Sequence, residues 1–175
     1  MARKLRILSV DDNRRDSQLL SQLLSKLESS VSITFVSDGC EALDFLFRRK
    51  KFFNCQRPDL ILLDINLPKR TGYEVLAEIK NDPSLKAIPV LMLTASDRNE
   101  DIQRSYDLHA NAHLTKPASL AEFEELVRAV EIFWLKKVQL PKSFNEEDQD
   151  LRFLRAGAVP EPAIFSDFSI EQPPN

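Results

Sequence analysis

Four positions along the chain hold side chains with the makings of a reactive site. Asp11 and Asp12 follow an apolar stretch that begins at Leu5, and Asp64 follows the unbroken run Leu60-Ile61-Leu62-Leu63. Thr94 closes the run 88–94, and Lys116 follows Ala112-His113-Leu114-Thr115. Three carboxylates brought together repel one another and raise one another's pKa, a conflict that a divalent cation removes. A few hard oxygen ligands, partly hydrated, suit Mg²⁺ better than zinc, and the chain has no Cys/His set with zinc spacing. A lysine adds a cation to pair with an anion on Asp64, and a threonine adds a hydroxyl donor. This equipment lets a carboxylate attack phosphorus and then holds the acyl phosphate, with metal and lysine neutralising the phosphoryl oxygens in the transition state. The new charge, about −1.5 to −2, would draw Thr94 and the 66–72 and 95–98 loops inward.

Each part alone is weak. A single Asp after a strand is more often a turn former, and Lys116-Pro117 by itself reads as a loop. Their force lies in falling on successive strand ends. The run ahead of Asp64 has no alternation, as expected of a strand buried on both faces of a parallel sheet. Asn66 to Gly72 then forms a loop punctuated by Pro68 and Gly72. Leucines at 19, 20, 23, 24 and 27 have amphipathic spacing. Asp38 with Glu41, Thr71 with Glu74, Asp97 with Glu100 and Ser119 with Glu122 all read as helix-start capping pairs. The basic residues 48–51 read as a solvated helix end, and Leu120, Phe123, Val127 and Val130 as the inward stripe of the last helix, which runs on through Leu135. Strand and helix thus alternate five times. That order predicts an α/β fold: a doubly wound five-stranded parallel sheet, strand order 2-1-3-4-5, with five helices. Strands one, three, four and five then bring Asp11-Asp12, Asp64, Thr94 and Lys116 to one edge.

The 175 residues suggest one domain with something left over. Residues 1–141 form the predicted domain. Residues 142–175 form an acidic, Pro-containing tail, with seven acids against three bases. A net charge of −3 gives no footprint for nucleic acid. No apolar run approaches the ~20 residues that span a bilayer, and the basic start leads into a short strand rather than a signal peptide, so the expectation is a cytoplasmic chain. Cys40 and Cys55 read as free thiols in a helix and a loop.

These motifs resemble the receiver domain of two-component response regulators: Val10-Asp11-Asp12-Asn13, Leu62 to Pro68 around Asp64, Gly72, Leu93-Thr94-Ala95 and Leu114-Thr115-Lys116-Pro117. The resemblance covers residues 5 to about 137, a doubly wound fold of the flavodoxin-like kind. It implies that Asp64 accepts a phosphoryl group from the histidine of a sensor kinase. It implies Mg²⁺ bound by Asp12 and Asp64, by Asp11 mostly through water, and by the backbone carbonyl of Asn66. Thr94 becomes the switch hydroxyl and Lys116 the phosphate partner. Asn66-Leu67-Pro68-Lys69, Glu74 to Lys80, Ser105 to His109 and Phe133-Trp134-Leu135 further resemble the stand-alone response regulators of bacterial and cyanobacterial phytochromes. That narrower likeness implies a light-regulated histidine kinase upstream and no output domain. The chemistry would be limited to phosphotransfer and autodephosphorylation, so the chain is expected not to be an enzyme in the usual sense.

His113 departs from the family, which carries Tyr or Phe three residues before the lysine. A histidine ring can swing inward like the aromatic, or it can remain a partly exposed surface residue. Phe133, Trp134 and Leu135 are consecutive and cannot all face one core. The reading taken is a homodimer through the fourth helix, fifth strand and fifth helix; the alternative is cover by Phe144, Leu151 or Phe153 of the tail. An aspartyl-phosphate phosphohydrolase is disfavoured because Asn66 stands where those enzymes place a second, proton-transferring Asp. Flavin binding is disfavoured by the lack of a Gly/Ser-rich phosphate loop. Output would pass through a protein partner that the sequence does not name.

Overall fold

The computed structural model describes residues 4–27 and 31–141. The proposed 142–175 tail, with Phe144, Leu151 and Phe153, lies outside the described residues. Among the described residues five strands and five α-helices alternate: β1 Leu5–Val10, α1 Arg14–Ser25, β2 Val31–Val36, α2 Gly39–Leu46, β3 Leu60–Leu63, α3 Gly72–Asn81, β4 Val90–Thr94, α4 Asn99–Asp107, β5 Ala112–Thr115 and α5 Leu120–Val130. The sheet is wholly parallel with order β2-β1-β3-β4-β5, as the sequence predicts.

Parity along the strands explains the unbroken apolar runs. Leu8 and Val10, Ile61 and Leu63, and Val90 and Met92 face the core packed by α2 and α3. Ile7, Leu60 and Leu62, and Leu91 face the second core, under α1 and α5. Successive strand side chains point to opposite faces, and here both faces are covered. Each fully buried Leu or Ile contributes about 1.5–3 kcal/mol of transfer free energy.

Several local readings are corrected. The Asp97–Glu100 cap does not form: α4 starts at Asn99, and its N-cap Arg98 has no side-chain cap bond. Asp101, in the first turn, takes over by accepting hydrogen bonds from the Ser96 hydroxyl and the Arg98 guanidinium. At α2, Asp38 accepts from the Glu41 N–H, but the Glu41 carboxylate reaches the Ser37 N–H instead of closing the box. Residues 48–51 are not that helix's last turn. Arg48 and Lys50 have positive φ, a 3-10 turn spans Lys50–Phe52, and Lys50 and Lys51 fold back onto Asp44 and Glu41. Leu120 lies outside the buried stripe of α5 at 57% exposure, because it opens the helix beyond the reach of the core. After Val130 the helix widens into a π-helical segment, Glu131–Lys137. Phe133 is 56% exposed there, whereas Trp134 and Leu135 pack partly against the α1/α5 core. As the sequence requires, the three do not share one core: one ring is exposed and two residues are turned inward. Among the described residues no helix is long and apolar enough to cross a membrane.

Candidate functional site

Ladder hydrogen bonds running one residue past the strands place the site. Asp11 N–H donates to the Val36 carbonyl at 3.1 Å, Asp64 N–H to Val10 at 3.0 Å, and Lys116 N–H to Thr94 at 2.7 Å. The sheet thus fixes the backbone of three functional residues before any side-chain contact forms. Asn13 caps α1 by accepting from the Arg15 and Asp16 N–H groups, which starts that helix directly behind the acidic pair. Gly72 lets α3 begin against the floor of the site: its N–H donates to the Ile65 carbonyl, and a Cβ there would lie 2.0 Å from the Asp64 carbonyl oxygen.

The side chains converge on Lys116. Its Nζ lies 2.7 Å from Asp11 Oδ2, 2.7 Å from Asp64 Oδ2 and 3.1 Å from Asp16 Oδ2. The Lys116, Asp11 and Asp64 side chains are each under a tenth exposed. The other oxygens hold the local turns: Asp11 Oδ1 accepts the Asn13 N–H at 2.9 Å and Asp64 Oδ1 the Asn66 N–H at 3.2 Å. Burial alone would lower Lys116, but its hydrogen bonds to Asp11 and Asp64 outweigh that and hold its pKa above the ordinary lysine range. Asp11 is pushed up, by burial first, against the lowering effect of Lys116; the Asp64 charge adds only a small further rise. Acid–acid repulsion, the expected dominant strain, is thus largely relieved by the ammonium.

Asp12 is exposed and has no hydrogen bond or ion pair with the described residues. No three His, Cys, Asp or Glu side chains among the described residues are gathered tightly enough to form a ready-made metal site. The donor chemistry still fits Mg²⁺, since all three carboxylates offer hard oxygens with lone pairs to spare. Thr94 is fully buried, and its hydroxyl lies 3.5 Å from the Ser96 N–H.

A second cluster, absent from the sequence reading, lies beside Thr94. Asp101 accepts from Ser96, from Tyr73 Oη at 2.8 Å and from Arg98 Nε at 2.9 Å, in that order of effect, and its carboxyl is held down at about 2. Tyr73 is pushed up to about 12, by burial and then by Asp101. His113 is half-buried and turned inward. Its Nδ1 lies 3.0 Å from Ser105 Oγ and its Nε2 3.1 Å from the Ser96 carbonyl, which ties β5 to α4 and to the loop after Thr94. A cleft of about 850 Å³ opens between the two loops, lined by Asp12, Asn66, Ser96, Arg98 and Arg104 among others.

The family model described as the response regulator receiver domain matches residues 7–129. Response regulator Rcp1 of Synechocystis sp. is 44% identical over 135 residues, which are 77% of this chain and 92% of the relative. A crystal structure of the phosphorylated cyanobacterial phytochrome response regulator RcpA is 44% identical with a TM-score of 0.78, over 80% of this chain and 100% of that one. The Mn²⁺-bound form of Rcp1 has 44% identity and a TM-score of 0.76, over 78% of this chain and 99% of that one. The chain is similar to the response regulators of cyanobacterial phytochromes and belongs to the response regulator receiver domain family.

Proposed function

We propose that this response regulator accepts a phosphoryl group on Asp64 from the phosphohistidine of a sensor kinase, a phytochrome. The observation that carries the reading is the convergence of Lys116 on Asp64 and Asp11, each at 2.7 Å, at the carboxyl edge of the sheet. An Asp64 oxygen attacks phosphorus. The donor's P–N bond breaks, and its electron pair leaves on the imidazole nitrogen, which takes a proton. Lys116 keeps Asp64 Oδ2 aimed and charge-paired, then neutralises the phosphoryl oxygens. Asp12, Asp64 and the Asn66 backbone carbonyl, with Asp11 mostly through water, would hold Mg²⁺, which would supply further charge neutralisation. Thr94 and His113 carry the change to the loop after β4 and to α4. The relative Rcp1, known in a Mn²⁺-bound form, and RcpA, known in a phosphorylated form, support this reading. The output is altered protein contact, including a second copy of the chain, for which Tyr106 on α4 and Phe133 just past α5 offer exposed apolar surface.

The test is phosphotransfer from an autophosphorylated phytochrome histidine kinase with Mg²⁺, in red and in far-red light. Light-dependent transfer to the wild type and none to Asp64→Asn is the expected result. Transfer to both chains alike refutes the assignment. A small acyl phosphate donor run in parallel separates a wrong kinase from a wrong residue: labelling by that donor alone overturns only the phytochrome partner.

A further inference from the structure

Lys116 Nζ donates to two carboxylates, those of Asp11 and Asp64, and forms an ion pair with a third, that of Asp16. Two of these carboxylates have other duties in phosphotransfer. Asp64 becomes the acyl phosphate, and Asp11 faces the cation. Asp16 has neither duty. It stands in the first turn of α1, where its own N–H is held by the Asn13 cap at 3.4 Å and the helix dipole favours its negative charge. Its side chain is 27% exposed, against 9% for Lys116, so it reaches the ammonium from the solvent side. The 3.1 Å contact is longer than the other two.

We infer that Asp16 is a positioning residue for phosphotransfer, a fixed third anchor that keeps the Lys116 ammonium aimed at the Asp64 oxygen while Asp11 and Asp64 change partners. An ammonium on a four-carbon stem is otherwise free to swing once its two closer partners are engaged. With Asp16 in place, the ammonium stays paired with a fixed charge while its N–H donors remain directed at Asp11 and Asp64. The charge balance fits this role. Asp16 adds a negative charge beside Lys116, so it pairs with the ammonium without entering the reacting group's own coordination. This inference rests on the phosphoacceptor reading.

The experiment uses the full chain as wild type, Asp16→Asn and Asp16→Glu, with Mg²⁺ and beryllofluoride as the phosphoryl mimic. Nitrogen-15 spectra follow the Lys116 ammonium, amide shifts of Asp12 and Asn66 follow Mg²⁺ titration, and a small acyl phosphate at saturation gives the labelling rate. Losing this partly buried ion-pair partner predicts about tenfold faster exchange of the Lys116 N–H protons and about tenfold slower labelling in Asp16→Asn. Mg²⁺ affinity is expected to stay within about threefold, since Asp16 is not a ligand. Asp16→Glu, also suited to a first helical turn, is expected to recover most of the rate. Unchanged ammonium exchange and unchanged labelling in Asp16→Asn overturn the inference, as does a rate loss matched by an equal loss of Mg²⁺ affinity. Failure of the wild type itself to bind beryllofluoride or to label would instead refute the phosphoacceptor reading.

Discussion

Replacing Lys116 with Met keeps an aliphatic chain of similar reach and deletes the charge at the centre of the acidic cluster. Asp11 and Asp64, each 8% exposed at the side chain, then face one another with no cation between them. Removing one partner of a buried ion pair costs about 3–5 kcal/mol. The lower end applies, because burial already raises the Asp11 carboxyl and so eases its protonation once the cation is gone. The expected loss is about 3 kcal/mol at pH 7.5 without Mg²⁺. The pH dependence has a definite sign. In the variant the buried carboxylates bind protons more tightly folded than unfolded, so the deficit shrinks as pH falls through the carboxylate range and is full above it. The wild-type Lys116 contribution, from a raised lysine pKa, is present throughout that window and is lost only at strongly alkaline pH. Mg²⁺ should replace the missing charge and return up to about 2.7 kcal/mol at a hundredfold excess over its Kd. The assay is guanidinium chloride unfolding of both chains between pH 4 and 8, with and without Mg²⁺. A deficit that is the same at pH 4 and pH 8, or that Mg²⁺ does not reduce, refutes the electrostatic account of the site.

Gly72→Ala forces a Cβ to within 2.0 Å of the Asp64 carbonyl oxygen; unfolding should show a loss of about 1–3 kcal/mol, and labelling of Asp64 should slow in parallel. Asp101, held at about 2 from an ordinary 3.8, contributes stability present above pH 3.8 that is lost as pH falls toward 2, so acid unfolding of Asp101→Asn should lack that part of the wild-type transition. His113→Phe keeps a flat ring but drops the bonds to Ser105 and the Ser96 carbonyl, so amide hydrogen exchange should speed up in the 95–98 loop while β3 stays protected. Phe133→Asp should weaken self-association in sedimentation, without lowering phosphate uptake, if the exposed ring lies in the contact between copies.

The fold was legible because its strands carry information on both faces. β3 and β4 are buried from α1/α5 and from α2/α3 at once, and only an apolar run survives there, so Asp64 and Thr94 stand out as its ends. The capping boxes at Thr71 and Ser119 were legible because both partners lie within one turn. The cap at Asp97 failed on the same rule, since Asp101 offered the loop a better bonded partner, and a four-residue window does not rank competitors. Asp16 was invisible for a different reason. An acid in a first helical turn already has a local explanation in the helix dipole, and its partner Lys116 lies 100 residues away, across the sheet. The π-helical segment after Val130 differs from an α-helix in hydrogen-bond register rather than in composition, so the run into Phe133-Trp134-Leu135 carried no mark of it.

Chemical mapping of the phosphorylated residue tests the central claim most directly. After labelling with Mg²⁺ and an acyl phosphate donor, borohydride reduces an aspartyl phosphate to homoserine, and peptide mass spectrometry locates it. Homoserine at position 64 alone, absent when Mg²⁺ is withheld, is the predicted result. Homoserine at position 11, 12 or 16, or label on a residue that borohydride does not convert, would contradict the account.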